Sequence, residues 1–179
     1  MKAIAVVMSF FLSHLAAGQK FIAETSKIVF FSDATIEDIT AENTKSMSIL
    51  DAGTGEIAFS IPIKEFQFDK SLMKEHFNEK YMETEIFSKS TFQGKITGYV
   101  SSATGSQAAT AQGKLTIHGI VREVVIPGTI EFASNKVILK SKFKVKLEDY
   151  AVARPQLLWQ NIAEEVEVTI DFTFKPYEK

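Results

Sequence analysis

The chain has 179 residues, with 20 Lys plus Arg against 22 Asp plus Glu, a formal net charge of −2, no cysteine, and 15 phenylalanines against one tryptophan. So even a charge balance gives no electrostatic ground for nucleic-acid binding, and the lack of cysteine excludes disulfides, thiol chemistry and cysteine metal clusters. The length suits one domain with a real core, held by burial and a hydrogen-bonded sheet.

Met1–Gly18 reads as a targeting segment. Lys2 gives a short positive start, Ala3 to Leu12 an apolar run, and Ala16, Ala17 and Gly18 the small residues that a signal peptidase cuts beside. The run is too short to span a bilayer. Cleavage after Gly18 or one residue earlier leaves residues 19–179 as a single domain. Without a cysteine there is no lipoprotein signal, so the expectation is a periplasmic or secreted product with no stable membrane anchor.

From Phe21 to Asp51 the segments FIAET, KIVFFS and AENTKSMSIL are strand-like with broken alternation. Val29 to Phe31 is apolar on both faces, as a strand covered on both sides requires. Next, Ile57, Phe59, Ile61 and Ile63 alternate as one buried face, but Phe66 and Phe68 fall on the opposite parity. A bulge or bend near Lys64, eased by Pro62, is expected there. The alternative is a strand that ends at Ile63. Leu72, Met73, His76, Phe77 and Tyr81 then recur at helical spacing, with Asp69 or Ser71 placed to cap the N-terminus. About three turns of helix in a strand-rich chain must lie against a sheet or over the end of a barrel.

Ile86 to Val100 alternates more loosely, with Phe92 and Ile96 on the side shared by Gly94 and Gly98, where glycine makes room. Ser101 to Gln112 reads as a small-residue loop with nothing able to bury itself. Gly113 to Pro127 reads as a hairpin turning at His118–Gly119. Two long strands close the chain. Val137, Leu139, Phe143, Val145 and Leu147 alternate with lysines, and Val166, Val168, Ile170, Phe172 and Phe174 alternate with acids, polar threonines among them. Antiparallel pairing sets those acids beside the lysines as a solvated ladder. Apolar inside and charge outside is the reverse of an outer-membrane barrel. Between these strands, Glu148 to Glu164 carries Tyr150, Leu157, Leu158, Trp159 and Ile162, enough apolar bulk to fold over a barrel end. Arg154, fixed by Pro155, suits a phosphate or carboxylate head group; the alternative is a surface pair with Glu148 or Asp149.

The runs SIPIKEFQF, LMKEHFNEKYMETEIFSKSTFQGKI, GKLTIHGIVREVVIPG and FTFKPY, in that order, resemble the YceI-like family of lipocalin-like lipid-binding proteins. The resemblance covers nearly the whole mature chain and is strongest from Gly55 to Gly128. It implies an all-β fold: an antiparallel eight-stranded lipocalin-like barrel with a short helix after an early strand. Its elongated apolar cavity would hold an isoprenoid or other long-chain lipid, in the periplasm or outside the cell. The helical segment departs from the family at Ser71–His76, where members carry an acidic residue and a histidine just before a leucine.

An inventory of reactive groups argues against an enzyme. His14 lies in the targeting segment, His76 and His118 stand in unrelated contexts, and there is no GxSxG elbow, no GxGxxG after a strand and no P-loop. The expected function is therefore to bind, sequester or carry a long-chain amphiphile, with no cofactor and no metal. Phe59, Ile61, Phe66, Phe77, Tyr81, Phe92, Phe143, Val145, Trp159 and Phe172 are the expected cavity lining; Arg154 and His76 are the head-group candidates. Two alternatives stand beside it: a barrel filled by its own phenylalanines that works through its surface, and a cavity enzyme acting on a lipid. The sequence leaves room for a homodimer.

Overall fold

The structure, a computed structural model, describes residues 19–33, 38–153 and 163–178. Among the described residues ten strands follow one another: β1 (Lys20–Ser32), β2 (Ile39–Asn43), β3 (Met47–Asp51), β4 (Glu56–Pro62), β5 (Gln67–Phe68), β6 (Lys89–Thr97), β7 (Ser106–Ile117), β8 (Ile120–Ala133), β9 (Lys136–Lys146) and β10 (Glu165–Pro176). Every pairing is antiparallel, and β10 returns to β1 from Phe21↔Pro176 to Phe31↔Glu167, which closes the sheet. β2 and β3 share one stave, pairing with opposite ends of β1, while β5 extends the stave of β4. The result is the expected eight-stave antiparallel barrel. Closure removes the sheet edges that a long apolar strand would otherwise expose.

The charged alternation of β9 and β10 forms a ladder on the outer wall: Lys140 Nζ meets Asp171 Oδ2 at 3.2 Å and Lys142 Nζ meets Glu167 Oε1 at 2.7 Å. These lysines remain largely exposed, so the pairs add little to stability individually.

Breaks in alternation mark breaks in the strands. β1 is one strand and not two, because a bulge between Ala23 and Thr25 shifts its parity and keeps Phe21 and Ile28 both on the inner face. Between β2 and β3 the chain steps aside, and Asn43, fully buried, replaces the ladder. It donates to the Pro62 carbonyl at 2.8 Å and accepts from the Lys45 amide and the Ser46 hydroxyl. The bend near Lys64 is a 3₁₀ turn over Ile63–Glu65, following Pro62, which carries Ile63 and Phe66 inward on opposite parities.

Helix α1 (Ser71–His76) continues as a single π turn over Phe77–Tyr81, so the helical stretch runs to Tyr81 as the spacing suggested. Neither Asp69 nor Ser71 caps it: the N-cap is Lys70 in extended conformation, with no side-chain hydrogen bond to the free amides. Leu72, which the spacing places on the apolar stripe, is exposed. After the helix, Glu83 takes a positive φ of 44° and its carboxylate meets His118 Nε2 at 2.8 Å. His118 and Gly119 both have positive φ, as a two-residue hairpin turn requires, and Phe87 packs edge-on to the imidazole. This clasp holds the 83–87 loop on the β7–β8 turn.

The expected loop over Ser101–Gln112 is largely strand. β7 starts at Ser106, and Ala109 is buried. Small residues there are a response to crowding: β6 pairs Gly94 with Gly113, whose Cβ would fall 2.4 Å from the Gly94 Cα.

Candidate functional site

The inward side chains divide the barrel into two zones. At the end where β1 and β4 begin, Leu50, Ile130, Val137, Phe172 and Phe174 are 0% exposed and pack into a solid floor. Phe172 lies 5.0 Å from Phe59, edge to face, and 6.0 Å from Phe174, measured between ring centroids. In the other half, inward residues such as Ile61, Leu139, Phe143, Val168 and Ile170 are only half-buried, because they face a void. That void has a volume of about 180 Å³.

The lining follows strand parity. β4 supplies Ile57, Phe59 and Ile61; β6 supplies Phe92 and Ile96; β7 supplies Ala111, Leu115 and Ile117; β9 supplies Leu139, Phe143 and Val145; β10 supplies Val166, Val168 and Ile170. Phe66 and the π-turn residues Phe77 and Tyr81 cover it from the open end. Phe77 stacks on Phe30 at 5.3 Å with an interplanar angle of 20°, and Phe66 and Phe68 complete the cluster. The helix therefore packs on the inner face of β1, over the bore, and not on its outside. A 3₁₀ turn over Leu147–Tyr150 brings Leu147 and Tyr150 to the same rim. Burial pushes the Tyr81 and Tyr150 phenols up, with the Asp149 carboxylate adding to the shift at Tyr150, so both stay protonated at neutral pH.

No Asp, Glu, His or Arg of the described residues lines this cavity, and Lys140, which borders it, has its ammonium on the outer wall with Asp171. Among the described residues no group of His, Asp and Glu is placed to hold a metal. A surface of this kind removes hydrocarbon from water; it holds no group placed to accept or donate a proton at neutral pH beyond a few hydroxyls.

Of the expected lining residues, Phe59, Ile61, Phe66, Phe77, Tyr81, Phe92, Phe143 and Val145 stand on the cavity wall. Phe172 does not: it forms the floor beneath Phe59. His76, half-buried at the end of α1, is not on the wall, and Arg154 and Trp159 lie outside the described residues. The sequence reading missed Phe30, Ile126, Leu139 and Tyr150. Phe30 was hidden in a run apolar on both faces, whereas Leu139 and Ile126 sit on the inward parity already visible in β9 and β8.

No curated protein matches the chain at a significant level. Among solved structures, the chain is similar to a polyisoprenoid binding domain from Saccharophagus degradans implicated in plant cell wall breakdown. The TM-score is 0.76 at 14% identity, over 88% of this chain and 98% of that one. Burkholderia cenocepacia BcnA gives 0.70 at 16% identity, over 83% and 95% respectively. The Campylobacter jejuni YCEI protein gives 0.57 at 14% identity, over 100% of both chains. At these identities the likeness is one of fold. The YceI-like domain profile matches residues 12–174, and with the closed barrel now described, the chain belongs to the YceI-like family.

Proposed function

We propose that the protein binds, sequesters or carries a single long-chain amphiphile of isoprenoid type, its apolar tail in the bore and its head group at the rim. The observation that carries this reading is the apolar void inside the barrel, walled by phenylalanine and aliphatic side chains. The likeness to a polyisoprenoid binding domain supports it. In this reading the chain is a binding protein and not an enzyme, residues 1–18 are a signal peptide, and the 19–179 domain works in the periplasm or outside the cell. No described helix is long and apolar enough to cross a membrane. Arg154 and His76 stay as the head-group candidates.

Magnitudes set a condition on the mechanism. At ~30 Å³ per small group, the 180 Å³ void holds about six methylenes. Each is worth about 0.8 kcal/mol, roughly 5 kcal/mol in all, which corresponds to a dissociation constant only in the sub-millimolar range. Tight binding of a longer tail therefore requires the Phe30, Phe66, Phe68 and Phe77 cluster to spread, or the tail to run beyond the resting void.

The test is an organic extract and a native mass spectrum of the purified protein. A co-purifying amphiphile is expected, with weaker retention in Phe143→Trp, whose larger ring takes up bore volume. A protein that yields no amphiphile, and takes up none of an added prenol, would leave the barrel as a surface module and defeat the reading.

A further inference from the structure

Among the described residues the ladder around the barrel is interrupted between β1 and the β2–β3 stave, where Ala23 to Lys27 pair with neither strand, and over a longer stretch between β8 and β9. β8 pairs with β7 along its length, from Ser106↔Glu131 to Ile117↔Ile120, and β9 pairs with β10 from Val137 to Lys146. Between β8 and β9, however, the ladder runs only from Ala133↔Lys136 to Gly128↔Ser141 and stops. Continued in register, it would join Ile126 to Phe143 and Val124 to Val145; neither pair forms. The two strands part there. Beyond the fork, Arg122 Nε of β8 donates to the Asp149 carbonyl, in the turn that follows β9, at 2.9 Å. Six residues of β8, from Arg122 to Pro127, span about 20 Å of strand.

The residues at the fork explain the parting. Gly128 sits so close to β9 that a Cβ would fall 2.5 Å from the Lys140 carbonyl oxygen. Pro127, next along, has no N–H to give to β9, and its carbonyl is taken by the Ser141 hydroxyl at 2.6 Å. The cavity borders the fork. On β4 and β10 only alternate, inward residues touch the void. At the fork consecutive residues of both parities touch it, Ile126 to Thr129 on one strand and Leu139 to Ser141 on the other. Thr129 and Lys140 are partners in the last intact part of the ladder, so these contacts bring the void to the edge of the gap, where Ile126 and Pro127 of β8 and Phe143 and Val145 of β9 meet it. The floor end offers no passage, since Phe172, Phe174, Leu50 and Val137 are 0% exposed.

We propose that the gap between β8 and β9 is a side portal through which a single-chain amphiphile enters and leaves the bore flank-first, its polar head remaining outside the wall. This rests on the tail-binding reading above. It removes a difficulty of end-on threading: a head group need never cross the apolar bore, where its desolvation would cost several kcal/mol. A side gap also lets a tail longer than the resting void lie partly in the wall.

The experiment bridges the gap. The chain has no native cysteine, so Val125→Cys with Lys144→Cys, both exposed outward residues across the gap, is joined by a short bis-maleimide. Gln112→Cys with Val125→Cys, register partners across the intact β7–β8 ladder, is the control. The probe is a dodecyl chain with a dansyl head group, and its transfer to and from phosphatidylcholine vesicles is followed by stopped flow. Bridging the gap is expected to slow loading and release alike by at least about tenfold with the dissociation constant unchanged, as a blocked gate does, while the control bridge changes neither rate. Unchanged rates in the bridged gap, with the probe still bound, overturn the portal and leave the tail-binding reading standing. An unbridged protein that takes up no probe overturns both. Glu123→Cys with Lys146→Cys repeats the test one step along the gap if the first pair does not fold.

Discussion

Ala111 lies midway along β7, in register with Ile96 on one side and Ile126 on the other, and touches the void. Replacing it by phenylalanine puts a ring where a tail would lie. A ring of six carbons takes the place of about four methylenes, and at ~0.8 kcal/mol each the lost transfer energy is about 3 kcal/mol, a weakening of roughly 200-fold. The ring fills existing space, so the melting temperature should hold or rise, whereas a ring forced into a filled core costs about 1–3 kcal/mol. Calorimetric titration of Ala111→Phe with a dodecyl amphiphile or a short prenol reads the affinity, and a thermal melt reads the fold. Ala108→Phe is the control, because Ala108 is exposed on the outer face of the same strand. A folded Ala111→Phe with the affinity of the parent would refute the assignment of the bore as the tail site.

Asn43→Ala removes the donor to the Pro62 carbonyl and strands the Lys45 amide and Ser46 hydroxyl; a loss of about 2–3 kcal/mol and a fall of roughly 5–10 °C in melting temperature are expected by calorimetry. In Gly113→Ala the new Cβ would lie 2.2 Å from the Gln93 carbonyl oxygen. Because backbone cannot yield as a side-chain tip does, a destabilisation beyond about 4 kcal/mol should appear in urea unfolding. The Glu24 carboxyl is held below the usual range by its hydrogen bond with Lys136 and by that residue's charge. A lowered folded value means that the pair's contribution is complete above the unfolded value and is lost as pH falls through the folded one. Carboxyl chemical shifts should therefore place Glu24 below an ordinary glutamate, returning toward it in Lys136→Gln.

Where one face is buried and the other wet, the strands were plain in the sequence. β9 and β10 show their inward Val, Leu, Ile and Phe and their outward Lys, Glu and Asp without ambiguity, and so do the lining positions Phe143 and Val145. Other segments hid their structure for physical reasons. β7 looked like a loop because alanine and glycine fill its inner face, where Gly113 lies too close to Gly94 for a Cβ and Ala111 faces the void. β1 looked like two strands because a bulge resets its parity. The split of the phenylalanines between floor and wall was not legible, since both sets occupy the same inward parity; only their height along the barrel separates Phe172 from Phe143. Nor was the β8–β9 gap: the two strands are hairpin neighbours joined through Ser134 and Asn135, a layout that predicts a ladder along their whole length, and at the fork Pro127, with no N–H to give, marks where it stops.

The seam that shuts the barrel joins Phe21–Phe31 to Glu167–Pro176, nearly the two extremes of the domain. Contacts so remote along the chain form late, because a large loop must be ordered before they repay it. Until the final strand arrives, the first has an open flank on that side, and the cylinder stays an unrolled ribbon. Loss of β10 would therefore do more than shorten the sheet: it would leave the flank of β1 unpaired and the cylinder open along its whole height.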